Sequence, residues 1–142
     1  MTISPTGTPQ KTQESAAAVV AGAYEAFAAG DVPAVLAALA EDISWHVGGR
    51  SPLAGDYIGH DGVLDFFGLL GELSNGTFRL KLHGVLDDGA EDVAVLNTEY
   101  AERNGRSGAF EAVHVWRVQD GLATRFEAFK ADQYAVDAFY SS

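Results

Sequence analysis

The feature that most constrains the fold is a run of four strand-like segments joined by three short turn sequences. The segments cover roughly residues 77–87, 92–103, 108–119 and 122–131. Asp87-Asp88-Gly89, Asn104-Gly105-Arg106 and Gln119-Asp120-Gly121 separate them. Such Asp/Asn-Gly pairs favour the tight turns of β-hairpins. The C-terminal half therefore predicts an antiparallel meander of four strands.

Helical patterns dominate the part of the chain before the meander. An alanine-rich stretch from about Thr12 has its apolar residues at helical spacing and stops at Gly30, and Asp31 caps a second helix. A third helix is predicted over 61–73, and a short strand over 42–48 precedes it. The connection over 48–59 is long enough to form a lid or rim. A short helix over about 132–139 closes the chain.

Helices followed by a meander indicate an α+β fold, with helices on one face of a curved sheet. Long, twisted strands predict a cone-shaped antiparallel sheet wrapped around the three N-terminal helices, with a hollow between them. Residues 1–11, rich in threonine and proline, are expected to form a disordered tail. Residues 12–142 contain no internal repeat or linker, so we expect a single domain there.

Charge and composition exclude several classes of function. The chain has no cysteine, which excludes disulfides and thiolate catalysis. A formal net charge of −11 disfavours nucleic acid and anionic membranes as partners. The start of the chain lacks the pattern of a signal peptide, and no apolar run approaches the length of a membrane span, so cytoplasmic residence is expected. The ligand expected for the hollow is an uncharged or weakly basic small molecule.

Strand alternation predicts which side chains line the hollow. If the turn over 105–108 is symmetric, Glu99 lies opposite His114 and Asn97 opposite Trp116. Similar counting across the other two turns puts His114 beside Phe126 and Leu80 beside Glu99. The predicted lining is thus polar at a few points and otherwise apolar: Asn97, Glu99, His114, Lys130, Trp45, Val47, Leu80, Trp116 and Phe126, with Tyr57 at the mouth. The opposite face is apolar enough to be a homodimer surface, through Leu96, Tyr100, Val113, Val115 and Phe129.

Glu99 beside His114 suggests acid–base chemistry. A carboxylate fixes the tautomer of an imidazole and raises its basicity, which makes His114 a candidate general acid or base. Asn97 is a candidate donor to a developing oxyanion. The alternative is that Glu99 and His114 only satisfy each other in a semi-buried sheet. His46, His60 and His83 lack metal-ligand spacing, so neither a metal nor a cofactor is expected.

Several local patterns resemble the SnoaL-like branch of the nuclear transport factor 2-like superfamily. They are Tyr24-Glu25-Ala26-Phe27-Ala28-Ala29-Gly30-Asp31, Glu41-Asp42-Ile43-Ser44-Trp45-His46, Ser51 to Gly59, Val113 to Gly121 and Asp132 to Phe139. The resemblance implies the cone fold and a dimer formed through the outer face of the sheet. Related ketosteroid isomerases use a tyrosine, an aspartate base and a protonated aspartate, and matching by resemblance places Ala23, Val47 and His114 there. Two of these three are aliphatic, which argues against ketosteroid isomerase activity.

Three functions remain open from the sequence. The first is a cofactor-free isomerase, cyclase or lyase that acts on a hydrophobic carbonyl compound through His114 and Glu99. The second is a non-catalytic binding protein for a hydrophobic metabolite. The third is a dimeric partner-binding module whose hollow is filled by its own aromatic side chains.

Overall fold

The computed structural model describes residues 14–142, so the tail predicted over 1–11 lies outside the described residues. Within these residues, four helices and six strands alternate unevenly. The helices are α1 (Ala16–Ala28), α2 (Val32–Ala37), α3 (Gly59–Leu73) and α4 (Gln133–Ser141). The strands are β1 (Leu39–Val47), β2 (Gly55–Ile58), β3 (Arg79–Asp87), β4 (Asp92–Arg103), β5 (Arg106–Gln119) and β6 (Leu122–Lys130).

Side-chain caps fix where three of the helices begin. The Ser15 hydroxyl accepts a hydrogen bond from the Ala18 amide, so α1 starts at Ala16 rather than near Thr12 as the sequence predicted. Asp31 caps α2 and Asp132 caps α4 in the same way. A cap of this kind satisfies one of the amide groups that the first helical turn leaves without a partner.

The six strands form one curved sheet in the order β2-β1-β6-β5-β4-β3. Neighbouring strands are antiparallel except β1 and β6, which run parallel. The long stretch of chain between β1 and β6 permits this, because parallel neighbours cannot be joined by a tight hairpin. The connection predicted over 48–59 contains β2, which pairs with β1. The helices pack on the sheet, and the α+β fold predicted from the sequence is confirmed.

The register between β4 and β5 differs from the prediction. Asn104 and Gly105 both have positive φ angles, of 52° and 77°, and form a two-residue turn that pairs Arg103 with Arg106. Glu99 therefore lies opposite Phe110, so the predicted pairing of Glu99 with His114 is wrong. The shift is four residues, an even number, so every side chain keeps its predicted face.

The pairing of β5 with β6 is shifted by two residues from the prediction. His114 lies opposite Ala128 rather than Phe126, which pairs with Trp116. An irregularity between Arg117 and Val118 causes part of the shift, because a bulge adds a residue to one strand. Across the first hairpin, Leu80 lies opposite Glu99 as predicted.

Several large apolar side chains are exposed rather than buried in the core. Leu82 and Leu86 on the edge strand β3 are 42% and 63% exposed, and Leu64 on α3 is 40% exposed. Among residues 14–142, no strand pairs with the outer edge of β3, so its side chains lack neighbours on that side. An irregularity between Leu82 and Gly84 also moves Leu86 to the face opposite that of Leu82. On the outer face Leu96 and Phe129 are also exposed, and the homodimer through this face stays a prediction. Within residues 14–142, every helix falls short of the length and apolar character needed to cross a bilayer.

Candidate functional site

A cavity of about 70 Å³ lies between the inner face of the sheet and helices α1, α3 and α4. Its walls are mostly aromatic and aliphatic. Among the described residues that line it, Glu99 and Lys130 are the charged ones. The volume is roughly half of the ~150 Å³ that accommodates benzene in an engineered protein core. A ring-sized ligand therefore requires some of the lining side chains to move.

Four polar side chains form a continuous hydrogen-bonded chain along this cavity. The Tyr24 hydroxyl lies 2.6 Å from Nδ1 of His114, and Nε2 of His114 lies 2.9 Å from Oε2 of Glu99. Nζ of Lys130 donates to both carboxylate oxygens, at 2.5 and 2.7 Å. We call Tyr24, His114, Glu99 and Lys130 the relay. It joins α1 to three neighbouring strands, β4, β5 and β6.

Glu99 and His114 meet although they are not paired residues. His114 lies opposite Val95 and Glu99 opposite Phe110, four positions away along the strand. Both side chains are on the inner face, where the curvature of the sheet brings them together. Their side chains are 5–6% exposed, so the contact is shielded from water.

One placement of protons satisfies the whole relay. A carboxylate only accepts hydrogen bonds, so Nε2 of His114 carries the proton that faces Glu99. Nδ1 is then an acceptor, and the Tyr24 hydroxyl must donate to it. The Tyr24 oxygen in turn accepts a hydrogen bond from the Trp116 indole at 3.0 Å. His114 is therefore set to receive a proton from the side of Tyr24.

Burial and neighbouring charges set the protonation states. Burial lowers the pKa of His114, and Glu99 offsets this only in part, so the imidazole is neutral near pH 7. Burial alone would raise the pKa of Glu99, but the hydrogen bond from His114 and the charge of Lys130 outweigh it and the pKa is lowered. Burial also raises the pKa of Tyr24, against the effect of the Trp116 hydrogen bond, so its hydroxyl stays protonated.

Tyr24 was not among the residues predicted for the site. The resemblance to the ketosteroid isomerases implies Ala23 at their tyrosine position, and Tyr24 is the next residue along the helix. Tyr24 nevertheless belongs to the apolar stripe of α1, four residues after Val20 and three before Phe27. A tyrosine on a buried stripe needs a partner for its hydroxyl, and this signal was available in the sequence.

The cavity brings together most of the residues predicted for the site: Trp45, Val47, Glu99, His114, Trp116, Phe126 and Lys130. Asn97, Tyr57 and Leu80 lie outside its lining. The Asn97 side-chain amide is buried and donates to the Val95 and Ala112 carbonyls. The Tyr57 hydroxyl donates to the Leu53 carbonyl, and its ring packs edge-on against Phe66. Residues 14–142 bring together no group of three or more His, Asp or Glu side chains suited to a metal ion.

The lowered pKa of His114 predicts that the protein loses stability on acidification. Its folded-state pKa lies below the ordinary value of 6.5, so the unfolded chain binds more protons as the pH falls through that range. The free energy of unfolding should therefore decrease below about pH 6.5. Glu99 adds a further loss below its ordinary value of 4.5, because its pKa is also lowered in the folded protein.

Urea denaturation at a series of pH values measures this dependence. The His114→Gln variant should lose less stability than the wild type between about pH 7 and pH 5. His46, His60 and His83 are present in both proteins and cancel in the comparison. Equal pH dependence in the two proteins would show that His114 titrates as it does in an unfolded chain.

Most of the chain matches one family of known proteins. The SnoaL-like domain matches residues 20–126. The uncharacterized protein Rv0034 of Mycobacterium tuberculosis is 29% identical over 118 residues, which are 83% of this chain and 90% of that protein.

Two solved structures share the fold. Bal32a, from a soil-derived mobile gene cassette, is 33% identical, with a TM-score of 0.81 over 87% of this chain and 95% of its own. TerC, crystallised with polyporic acid, is 25% identical, with a TM-score of 0.79 over 89% and 98%. The similarity therefore extends over nearly the whole described domain.

Proposed function

The chain belongs to the SnoaL-like family, within the nuclear transport factor 2-like superfamily, and on that premise we propose that it is a cofactor-free proton-transfer enzyme. The substrate class is a neutral, hydrophobic carbonyl compound, and the reaction is an isomerisation, cyclisation or elimination that begins with loss of a proton. The observation that carries the proposal is the relay from Tyr24 to Lys130 along an apolar cavity.

In its resting state, with Nδ1 of His114 unprotonated, the relay can accept a proton from the substrate by way of Tyr24. The Tyr24 oxygen takes the proton from the carbon beside the substrate carbonyl, while the Tyr24 hydroxyl proton passes to Nδ1 of His114. The C–H bond breaks, its electron pair forms the enolate C=C bond, and the carbonyl electrons move to oxygen. His114 becomes an imidazolium, which the Glu99 carboxylate stabilises at 2.9 Å. Return of the proton to a different carbon completes an isomerisation.

The charges in the cavity support a neutral substrate. Lys130 neutralises Glu99 through two hydrogen bonds, and His114 is uncharged at rest. The resting lining therefore has no net charge with which to attract an ion. Burying an unpaired charge in an apolar cavity is unfavourable. TerC, which shares the fold, was crystallised with polyporic acid, and this supports a small-molecule ligand for the cavity.

Hydrogen–deuterium exchange at the carbon beside a carbonyl tests the proposal. Cyclopentanone, 2-tetralone and acetylacetone are incubated with the protein in deuterated buffer, and loss of the α-proton signal is followed by NMR. The exchange rate should rise with protein concentration. It should increase with pH through the lowered pKa of His114 and level off near or below its ordinary value of 6.5, as His114 becomes neutral.

A matched control separates His114 from histidines elsewhere. His83 lies outside the cavity and contacts Thr98, so His83→Gln should keep the exchange rate of the wild type. If none of the three ketones exchanges its α-proton faster with the protein than in buffer alone, the proposed catalysis is wrong.

A non-catalytic binding protein is the second candidate. The polar groups of the relay already satisfy one another, and burial makes His114 a weaker base than a histidine in water. Both features suit a cavity that recognises a ligand without transforming it. Binding of the ketones without any exchange would favour this second function.

A further inference from the structure

The indole N–H of Trp45 is a buried donor with no acceptor among residues 14–142. Trp45 is 5% exposed and lines the cavity. The second tryptophan differs, because the Trp116 N–H donates to the Tyr24 hydroxyl. Buried polar groups in folded proteins are hydrogen-bonded in the great majority of cases, so one without a partner calls for an explanation.

Aromatic rings surround Trp45 and offer it no acceptor. Phe126 stacks on its indole with centroids 3.9 Å apart, and Phe66, Phe67 and Trp116 pack against it at 5.7–5.8 Å. These contacts hold the ring in place within the cavity wall. The N–H itself is buried in that wall, so an acceptor reaches it when the lining side chains move to admit a ring-sized ligand.

We infer that Trp45 is a substrate-binding residue whose indole N–H donates to the carbonyl oxygen of the ligand. This inference rests on the proposed function and defines its substrate class more closely. The ligand has its carbonyl oxygen at Trp45 and its acidic hydrogen at Tyr24. When the proton leaves, negative charge collects on that oxygen, and the hydrogen bond from Trp45 becomes stronger. Trp45 then stabilises the enolate while the relay holds the proton.

NMR of the two indole N–H groups tests the inference directly, because the chain contains two tryptophans. The Trp45→Phe variant assigns the signals. Cyclopentanone and methylenecyclopentane are matched in shape and differ in the carbonyl oxygen. Cyclopentanone should move the Trp45 signal downfield, as expected for a new hydrogen bond, and methylenecyclopentane should not.

Dissociation constants for the two probes give a second readout. In Trp45→Phe, the ratio of the two affinities should shift toward methylenecyclopentane by about 3- to 10-fold, the value of one net hydrogen bond. Phe66→Leu is the packing control, since Phe66 contacts Trp45 and donates no hydrogen bond, and it should leave the ratio unchanged.

Three results would overturn the inference: an unchanged Trp45 signal at saturating cyclopentanone, the same affinity ratio in wild type and Trp45→Phe, or no binding of either probe. If α-proton exchange persists in those cases, only the role of Trp45 is wrong. If the Trp45 signal responds but no exchange occurs, Trp45 recognises a carbonyl ligand and the proposed catalysis is wrong.

Discussion

Replacing Tyr24 with phenylalanine is expected to slow α-proton exchange by about 10²- to 10⁴-fold, the range usual for a positioned proton-transfer group. The change removes the hydroxyl that lies 2.6 Å from His114 and keeps the ring that stacks on it. His114→Gln should cause a loss of the same order, because both residues act on one proton. The double variant should be little slower than either single variant.

Tyr134→Phe is the matched control for this prediction. Tyr134 is 90% exposed on α4, so loss of its hydroxyl should change neither the rate nor the stability. Rates are measured by NMR at saturating ketone, with folding checked by circular dichroism. A folded Tyr24→Phe variant with the exchange rate of the wild type would remove Tyr24 from the mechanism.

Glu99→Ala is expected to destabilise the protein by about 3–5 kcal/mol, the usual cost of removing one partner of a buried ion pair. The side chain of Lys130 is 9% exposed and would be left in the protein interior without its carboxylate partner. Nε2–H of His114 would lose its acceptor as well. Urea denaturation of the wild type and the variant at neutral pH measures the difference.

Two further variants make this stability prediction specific. Glu102 lies on the same strand as Glu99 at an exposed position. Its replacement, Glu102→Gln, should therefore change the free energy of unfolding by less than about 0.5 kcal/mol. Combining Glu99→Leu with Lys130→Met removes both charges and should recover much of the stability lost in Glu99→Ala. A loss below about 1 kcal/mol in Glu99→Ala would mean that Lys130 reaches water when the carboxylate is absent.

The faces of the strands were predictable because side chains alternate with a period of two. The predicted partners of Glu99 and His114 were wrong by four and two positions, yet Glu99, His114 and Lys130 all point inward as predicted. An error by an even number of residues keeps every side chain on its face. The Asn104-Gly105 pair, with two positive φ angles, contained the information for the correct β4–β5 register.

The relay itself was only partly predictable. The contact between Glu99 and His114 was expected from direct pairing, but the structure forms it across four positions of a curved sheet. Tyr24 enters from a helix about 90 residues earlier in the chain, and strand alternation carries no information about such a contact. The ion pair of Lys130 with Glu99 also depends on how far β6 is shifted against β5.

The sequence alone is enough to predict the α+β order of elements, the hairpin turns and the inward face that bears Glu99, His114 and Lys130. These features depend on local periodicity and turn chemistry, which are set by residues close together in the chain. Local patterns do not predict that Tyr24 contacts His114, or that the Trp45 indole beside the small cavity has no acceptor among residues 14–142. Those contacts depend on the curvature of the sheet and on the position at which α1 packs against it. Both arise from packing between segments that are distant in the chain.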